Sequence, residues 1–128
     1  MKAKSVALVT IAALVAGAFG LGMVAEAHQG SFASGVDINY GDGAFFGNVT
    51  SNKQGCRKNR TVQIIKNRRN RPDKVVDSAN TGDDSAWSVS KPFAQGRYYS
   101  RVVKILKGSY GHQHTCLAAR SPNSVRAN

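Results

Sequence analysis

The chain has 128 residues, 18 Lys+Arg against 7 Asp+Glu, a formal net charge of +11 and two cysteines. This length leaves room for one small domain with a limited core, and the charge balance excludes an acidic surface. It predicts attraction to polyanions without saying which one.

In chain order, Lys2 and Lys4 precede an apolar run that reaches Ala25, and Ala25-Glu26-Ala27 places small residues at the −3 and −1 positions of a signal-peptidase site. That is the layout of a secretory leader, so residues 1–27 are read as a signal peptide cleaved after Ala27. An uncleaved anchor is the competing reading, because about 20 apolar residues just span a bilayer. Glycine and threonine weaken the run, and polar sequence follows the site at once, which favours removal. The expected processed chain begins at His28 and carries 16 basic against 6 acidic residues, a formal +10.

Residues 28–44 are rich in Gly, Ser, Ala and Asp with little periodicity, and are expected to form a flexible N-terminal arm. The β-sandwich domain is assigned to residues 45–128. Its first strand signal is Phe45, Gly47, Val49 and Ser51 alternating with Phe46, Asn48 and Thr50. Residues 51–55 are turn chemistry, and residues 60–66 follow as a strand with Val62 and Ile64 on one face. Residues 67–73, Asn-Arg-Arg-Asn-Arg-Pro-Asp, interrupt regular structure as an exposed basic loop. A third strand covers residues 74–80, and a turn at 81–84 leads to Trp87 and Val89 on one face. Pro92 ends that strand because it has no N–H for a ladder. The longest apolar stretch runs from Tyr98 to Leu106, with Tyr98, Ser100 and Val102 sharing a face. After a loop at 107–111, residues 114–120 read as a strand, and 124–127 extend an edge.

Outside the leader, no segment has the 3.6-residue spacing of an amphipathic helix. Six or seven short strands with Gly, Asn, Asp or Pro between them argue for an all-β fold, a single antiparallel β-sandwich. Cys56 and Cys116 both lie in the exported part, where the oxidising compartment predicts one disulfide. That bond closes a loop of about 60 residues, which stabilises a fold by about 4 kcal/mol on the chain-entropy account.

Five motifs then stand in order: Phe46-Gly47-x-Val49-x-Ser51, Cys56-x-x-x-Arg60-x-Val62, Thr81-Gly82-Asp83-Asp84-x-x-Trp87-x-Val89, Gly96-Arg97-Tyr98-Tyr99-x-Arg101-Val102 and Cys116-x-Ala118-Ala119-x-Ser121. The series, spanning residues 45–121, resembles small secreted bacterial domains of the carboxypeptidase regulatory-like, or transthyretin-like (prealbumin-like), β-sandwiches. Two positions depart from that pattern: Ala86 stands where the hairpin usually has Gly, and Gln95 where Pro often precedes the Gly. The resemblance implies an accessory or interaction domain without catalysis, and it lends no site residues.

For catalysis, the six acidic residues of the processed chain include Asp83 and Asp84 in a turn, where they serve as turn formers. No serine is framed by a nucleophile-elbow motif. The expectation is therefore no enzyme and no cofactor. A copper reading rests on His28, which would offer an α-amine and an imidazole, and on His112 and His114, whose side chains two apart share a face. That set resembles the histidine brace of copper chaperones and copper oxygenases. Against it, the processed chain has no methionine for an axial ligand and Cys116 would have to leave its disulfide.

The basic residues fall in three groups. Arg57, Lys58 and Arg60 lie at the start of one strand, Arg68, Arg69 and Arg71 lie in the loop after it between Lys66 and Lys74, and Arg97, Arg101, Lys104 and Lys107 line a later strand. Tyr99, between Arg97 and Arg101, is the candidate for stacking a base. Two roles remain open for these cations, a solvated surface or a polyanion contact. The sequence thus predicts a secreted, non-catalytic module for extracellular or cell-surface interaction on a bacterium, monomeric by default, with no transmembrane segment after processing. Its partner is a protein or an anionic envelope polymer, and a polyanion or nucleic-acid binder is the alternative. A copper carrier using His28, His112 and His114 is the third reading.

Overall fold

Alternation along residues 44–51 organises one layer of the molecule. In the computed structural model, which describes residues 30–109 and 111–128, this segment is the central strand β4 (Ala44–Ser51). The expected leader, its expected cleavage site and His28 lie outside the described residues. Phe45 and Val49 point into the core while Phe46, Asn48 and Thr50 face outward, the period of two that a half-buried strand requires. Gly47 falls on the same buried face, where only glycine fits: a Cβ there would lie 2.6 Å from the Asp37 carbonyl oxygen and 3.0 Å from the Trp87 ring.

Three short strands precede β4: β1 (Gly30–Phe32), β2 (Ser34–Val36) and β3 (Asn39–Gly41). Antiparallel β2 and β3 lie end to end along one edge of β4, and β7 (Ala86–Ser90) pairs along its other edge. Residues 30–44, expected as part of a flexible arm, are thus part of the fold. Val36 and Ile38 are 5 % and 1 % exposed in the core, and an apolar residue on each side of Asp37 was too short a pattern to register as strand.

The second layer has the order β11-β8-β5-β6, with β12 also on β8. It comprises β5 (Thr61–Asn67), β6 (Lys74–Asn80), β8 (Gly96–Val102), β11 (Ala119–Arg120) and β12 (Val125–Ala127). All its pairings are antiparallel, and a register shift at Ile64/Ile65 marks a bulge between β5 and β6. Val62, Ile64, Tyr98, Val102 and Ala127 from this layer meet Val36, Ile38, Phe45, Val49, Trp87 and Val89 from the other. The protein is an all-β sandwich.

A third, smaller sheet caps one end, with β9 (Ile105–Lys107) antiparallel and β1 parallel to β10 (His114–Cys116). Two stretches expected as single strands therefore divide. Residues 98–106 leave the large sheet after Val102, and residues 114–120 cross from the small sheet to the large one between Cys116 and Ala119. Val103 N–H at 2.9 Å to the Thr61 carbonyl and Leu117 N–H at 2.9 Å to that of Phe32 occupy the corners. Among the described residues twelve strands form where about seven were expected: β1, β2 and β3 arise in the expected arm, and each of the two corners splits a run of uniform composition. Cys56, in a 3-10 turn (Gln54–Cys56), joins Cys116 across 5.5 Å of Cα separation and 60 residues of sequence. Among the described residues, no helix is long and apolar enough to cross a membrane.

Candidate anion-binding site

The loop between β5 and β6 and the turn after β7 meet at one end of the sandwich. In the loop, Asn70 adopts a positive φ of 61°, which Asn tolerates better than most residues, and Arg68 Nε donates to the Pro72 carbonyl at 2.9 Å. The second segment is a tight turn: Ala94 N–H donates to the Lys91 carbonyl at 3.2 Å, with Pro92 preset for the bend. This turn is tied to its neighbours. Lys91 N–H donates to Gly43 at 2.8 Å, and the Tyr40 hydroxyl donates to the Lys91 carbonyl at 2.8 Å. Gly43, at φ 77°, is as close as 3.2 Å (from a would-be Cβ) to the Pro92 Cα, so the two turns pack backbone to backbone.

Between them lies a cleft of about 590 Å³. Its apolar lining is Phe45, Val76, Ala94 and Tyr98, with Phe93 at the rim and 92 % exposed. Five cations line the same cleft: Lys66, Arg68, Arg71, Lys74 and Lys91. Lys66 holds its ammonium 5.8 Å from the Tyr98 ring centroid, a cation–π contact at the cleft wall. A second cavity of about 430 Å³ is lined by Asn67, Arg69, Arg97 and Arg126. Cross-strand register explains that grouping, since Asn67 and Arg126 both lie opposite Arg97. The loop thus supplies Arg68 and Arg71 to one cavity and Arg69 to the other. Against these eight cations, the one ion pair among the described residues is Lys91 with Asp77, at 3.4 Å.

The other expected contacts fall elsewhere. Arg57 and Lys58 precede β5 while the loop follows it, so a seven-residue strand, about 23 Å long, separates them. Arg57 is exposed, and its Nε donates to the Ser51 carbonyl at 2.9 Å. Arg101 is exposed at mid-strand, where Nε and a terminal nitrogen donate to Gln63 Oε1 at 3.0 and 2.6 Å.

Arg60 is a correction. Expected among polyanion-contacting residues, it is fully buried, and its guanidinium donates to four acceptors. These are Ser34 Oγ at 2.9 Å and the carbonyls of Cys56, Val103 and Leu117 at 2.7, 2.9 and 3.1 Å. Burial lowers its pKa. Lys107 acts alongside it, donating to the carbonyls of Gly55 and Lys58. Its pKa is lowered by burial first, then by the charges of Arg60 and Lys58. Both cations brace the disulfide-bearing loop.

Tyr99 is also not an open stacking face. It is 7 % exposed, the Arg120 guanidinium lies 3.7 Å from its ring centroid, and its hydroxyl donates to Asp73 Oδ2 at 2.7 Å. Burial, then the Asp73 hydrogen bond and charge, raise its pKa. As for metal ligands, His112 sits in an exposed turn and His114 in β10. The atoms that gather within 4.8 Å belong to Cys56, His114 and Cys116, and both sulfurs are held in the disulfide. His114 Nε2 is buried there without a hydrogen-bond partner.

Lys91, Phe93 and Arg126 were missed in the sequence because each is distant from the basic loop along the chain. Their one signal was a Lys-Pro-Phe turn and a basic residue on the edge strand. In comparisons with known proteins, no family model, curated protein or solved structure matches this chain.

Proposed function

We propose that this is an exported, non-catalytic binding module whose cationic end holds an anionic component of the cell envelope. The observation that carries this reading is the gathering of five cations on one cleft, with three more at a second cavity lined by the same loop, and a single carboxylate paired among them. Lys and Arg at that density create a field of several kT that concentrates polyanions, and guanidinium groups match phosphate and carboxylate oxygens bidentately. A scaffold like the transthyretin-like or carboxypeptidase regulatory-like sandwiches, which the motifs resemble, would present such a surface without chemistry of its own. The disulfide supports an extracellular setting, since such bonds persist where thiols oxidise.

Heparin chromatography of the native protein tests the reading. Retention at physiological salt is expected, with elution at clearly lower salt for Arg68→Glu/Arg71→Glu, and a smaller change for Arg57→Glu/Lys58→Glu at the far end. Passage of the wild-type protein in the void overturns it, as does an equal loss from the two double variants.

A further inference from the structure

The cleft between the basic loop and the Lys91 turn is not lined as a site for a purely polar polymer. The half-buried Val76 and Ala94 form its apolar wall, backed by the buried Phe45 and Tyr98, while the cations stand beside it, and Phe93 projects from the rim with 92 % of its surface exposed. Leaving a Phe in water costs free energy that its burial in an apolar phase would recover. Nothing inside the fold claims this side chain, yet the turn that carries it is fixed by hydrogen bonds from Ala94, Tyr40 and Lys91. It is a rigid apolar tip in a ring of positive charge.

A phosphate- or sulfate-bearing polymer would satisfy the cations and leave Phe93 and the half-buried Val76 and Ala94 wet. The occupant that matches both is amphiphilic, with an anionic head and an apolar body. We infer that this end of the sandwich docks on a bilayer containing acidic phospholipid. Phe93 enters the acyl boundary, and Lys66, Arg68, Arg71 and Lys74 meet the lipid phosphates. Two weak signals, one apolar and one electrostatic, together give stable but reversible membrane attachment. The inference rests on the anion-binding reading above and names the ligand class for the same surface.

Vesicle co-sedimentation of the native protein tests it, with phosphatidylcholine alone against phosphatidylcholine mixed with phosphatidylglycerol. Binding is expected on the acidic vesicles and not on the neutral ones. Phe93→Ser, which alters an exposed side chain and leaves the core intact, is expected to weaken acidic-vesicle binding about ten-fold, from the partial burial of one aromatic ring. Each of Arg71→Glu and Lys74→Glu is expected to weaken it by at least about five-fold, the value of one cation near an anionic surface. Equal binding to both vesicle types overturns the inference, and so does undiminished binding by Phe93→Ser. Heparin retention of the wild-type protein, measured in parallel, reports separately on the anion-binding reading. Retention on heparin without vesicle binding rejects the membrane alone, and loss of both rejects both.

Discussion

Four hydrogen bonds converge on the guanidinium of Arg60, a charged side chain with no exposed surface. Its acceptors come from β2, the disulfide turn and the two corners where the chain changes sheet, so one side chain joins segments that share no ladder. Removing it leaves four acceptors to find water in a closed site. Arg60→Met is expected to destabilise the fold by at least about 3 kcal/mol, since each buried acceptor left unsatisfied costs about 1–3 kcal/mol. Arg60→Lys is expected to recover only part, because an ammonium cannot reach four acceptors in a fork. Urea unfolding checks both; a change under about 0.5 kcal/mol, usual for an exposed site, would return Arg60 to the surface. Tyr99 makes a pH-dependent contribution. Its folded pKa lies above its ordinary value, so the stabilisation is complete below about pH 10 and fades as pH rises through the folded value. Tyr99→Phe lacks the Asp73 bond and is expected to be about 1 kcal/mol less stable at neutral pH. The gap should close as thermal unfolding is followed upward past pH 10.

At the level of elements, legibility depended on length and alternation. β4, β5, β6 and β7 are five to eight residues long and fall within a residue or two of their expected bounds, with Trp87 and Val89 inward as expected, whereas the stretch expected over 98–106 ends as β8 at Val102. Three-residue strands such as β2 and β3 are set by neighbours that sequence does not display, and residues 30–44 therefore read as an arm. The candidate site was half legible for the same reason. Its loop cations are contiguous and visible, whereas Lys91, Phe93 and Arg126 join them only through pairing of β7 with β4 and of β12 with β8. Arg60 misled because a basic cluster in sequence gives no sign of which member turns inward. Ile38 distinguishes an arm from a built-in strand. At 1 % exposure among Val36, Phe45 and their partners, Ile38→Ser is expected to cost about 3–4 kcal/mol through lost burial and a stranded hydroxyl. A mobile arm would tolerate it with no shift in the urea midpoint.

For the whole molecule, one covalent link and a small core hold together a surface with far more positive than negative charge. The sequence beyond residue 29 carries 16 basic and 6 acidic residues, and the described part forms a single ion pair. Like charges gathered at one end repel one another in the folded state, and that repulsion is partly relieved when the chain expands. Such a molecule should therefore respond to salt in two opposite ways. Raising ionic strength from about 0.01 to 0.15 M shortens the screening length from about 30 to 8 Å, so the melting temperature is expected to rise by a few degrees. Over the same range its affinity for an anionic polymer is expected to fall steeply. A contact involving six or more phosphates on duplex DNA would lose about 10³-fold between 50 and 200 mM. Arg68→Glu/Arg71→Glu should flatten both curves, since it removes the crowded charges that produce the repulsion and the attraction alike. Differential scanning calorimetry beside binding isotherms at matched salt decides the matter. A melting temperature that ignores salt while affinity still falls would mean that the cations bind without crowding, spread over the surface and not gathered at the end where β5 turns into β6.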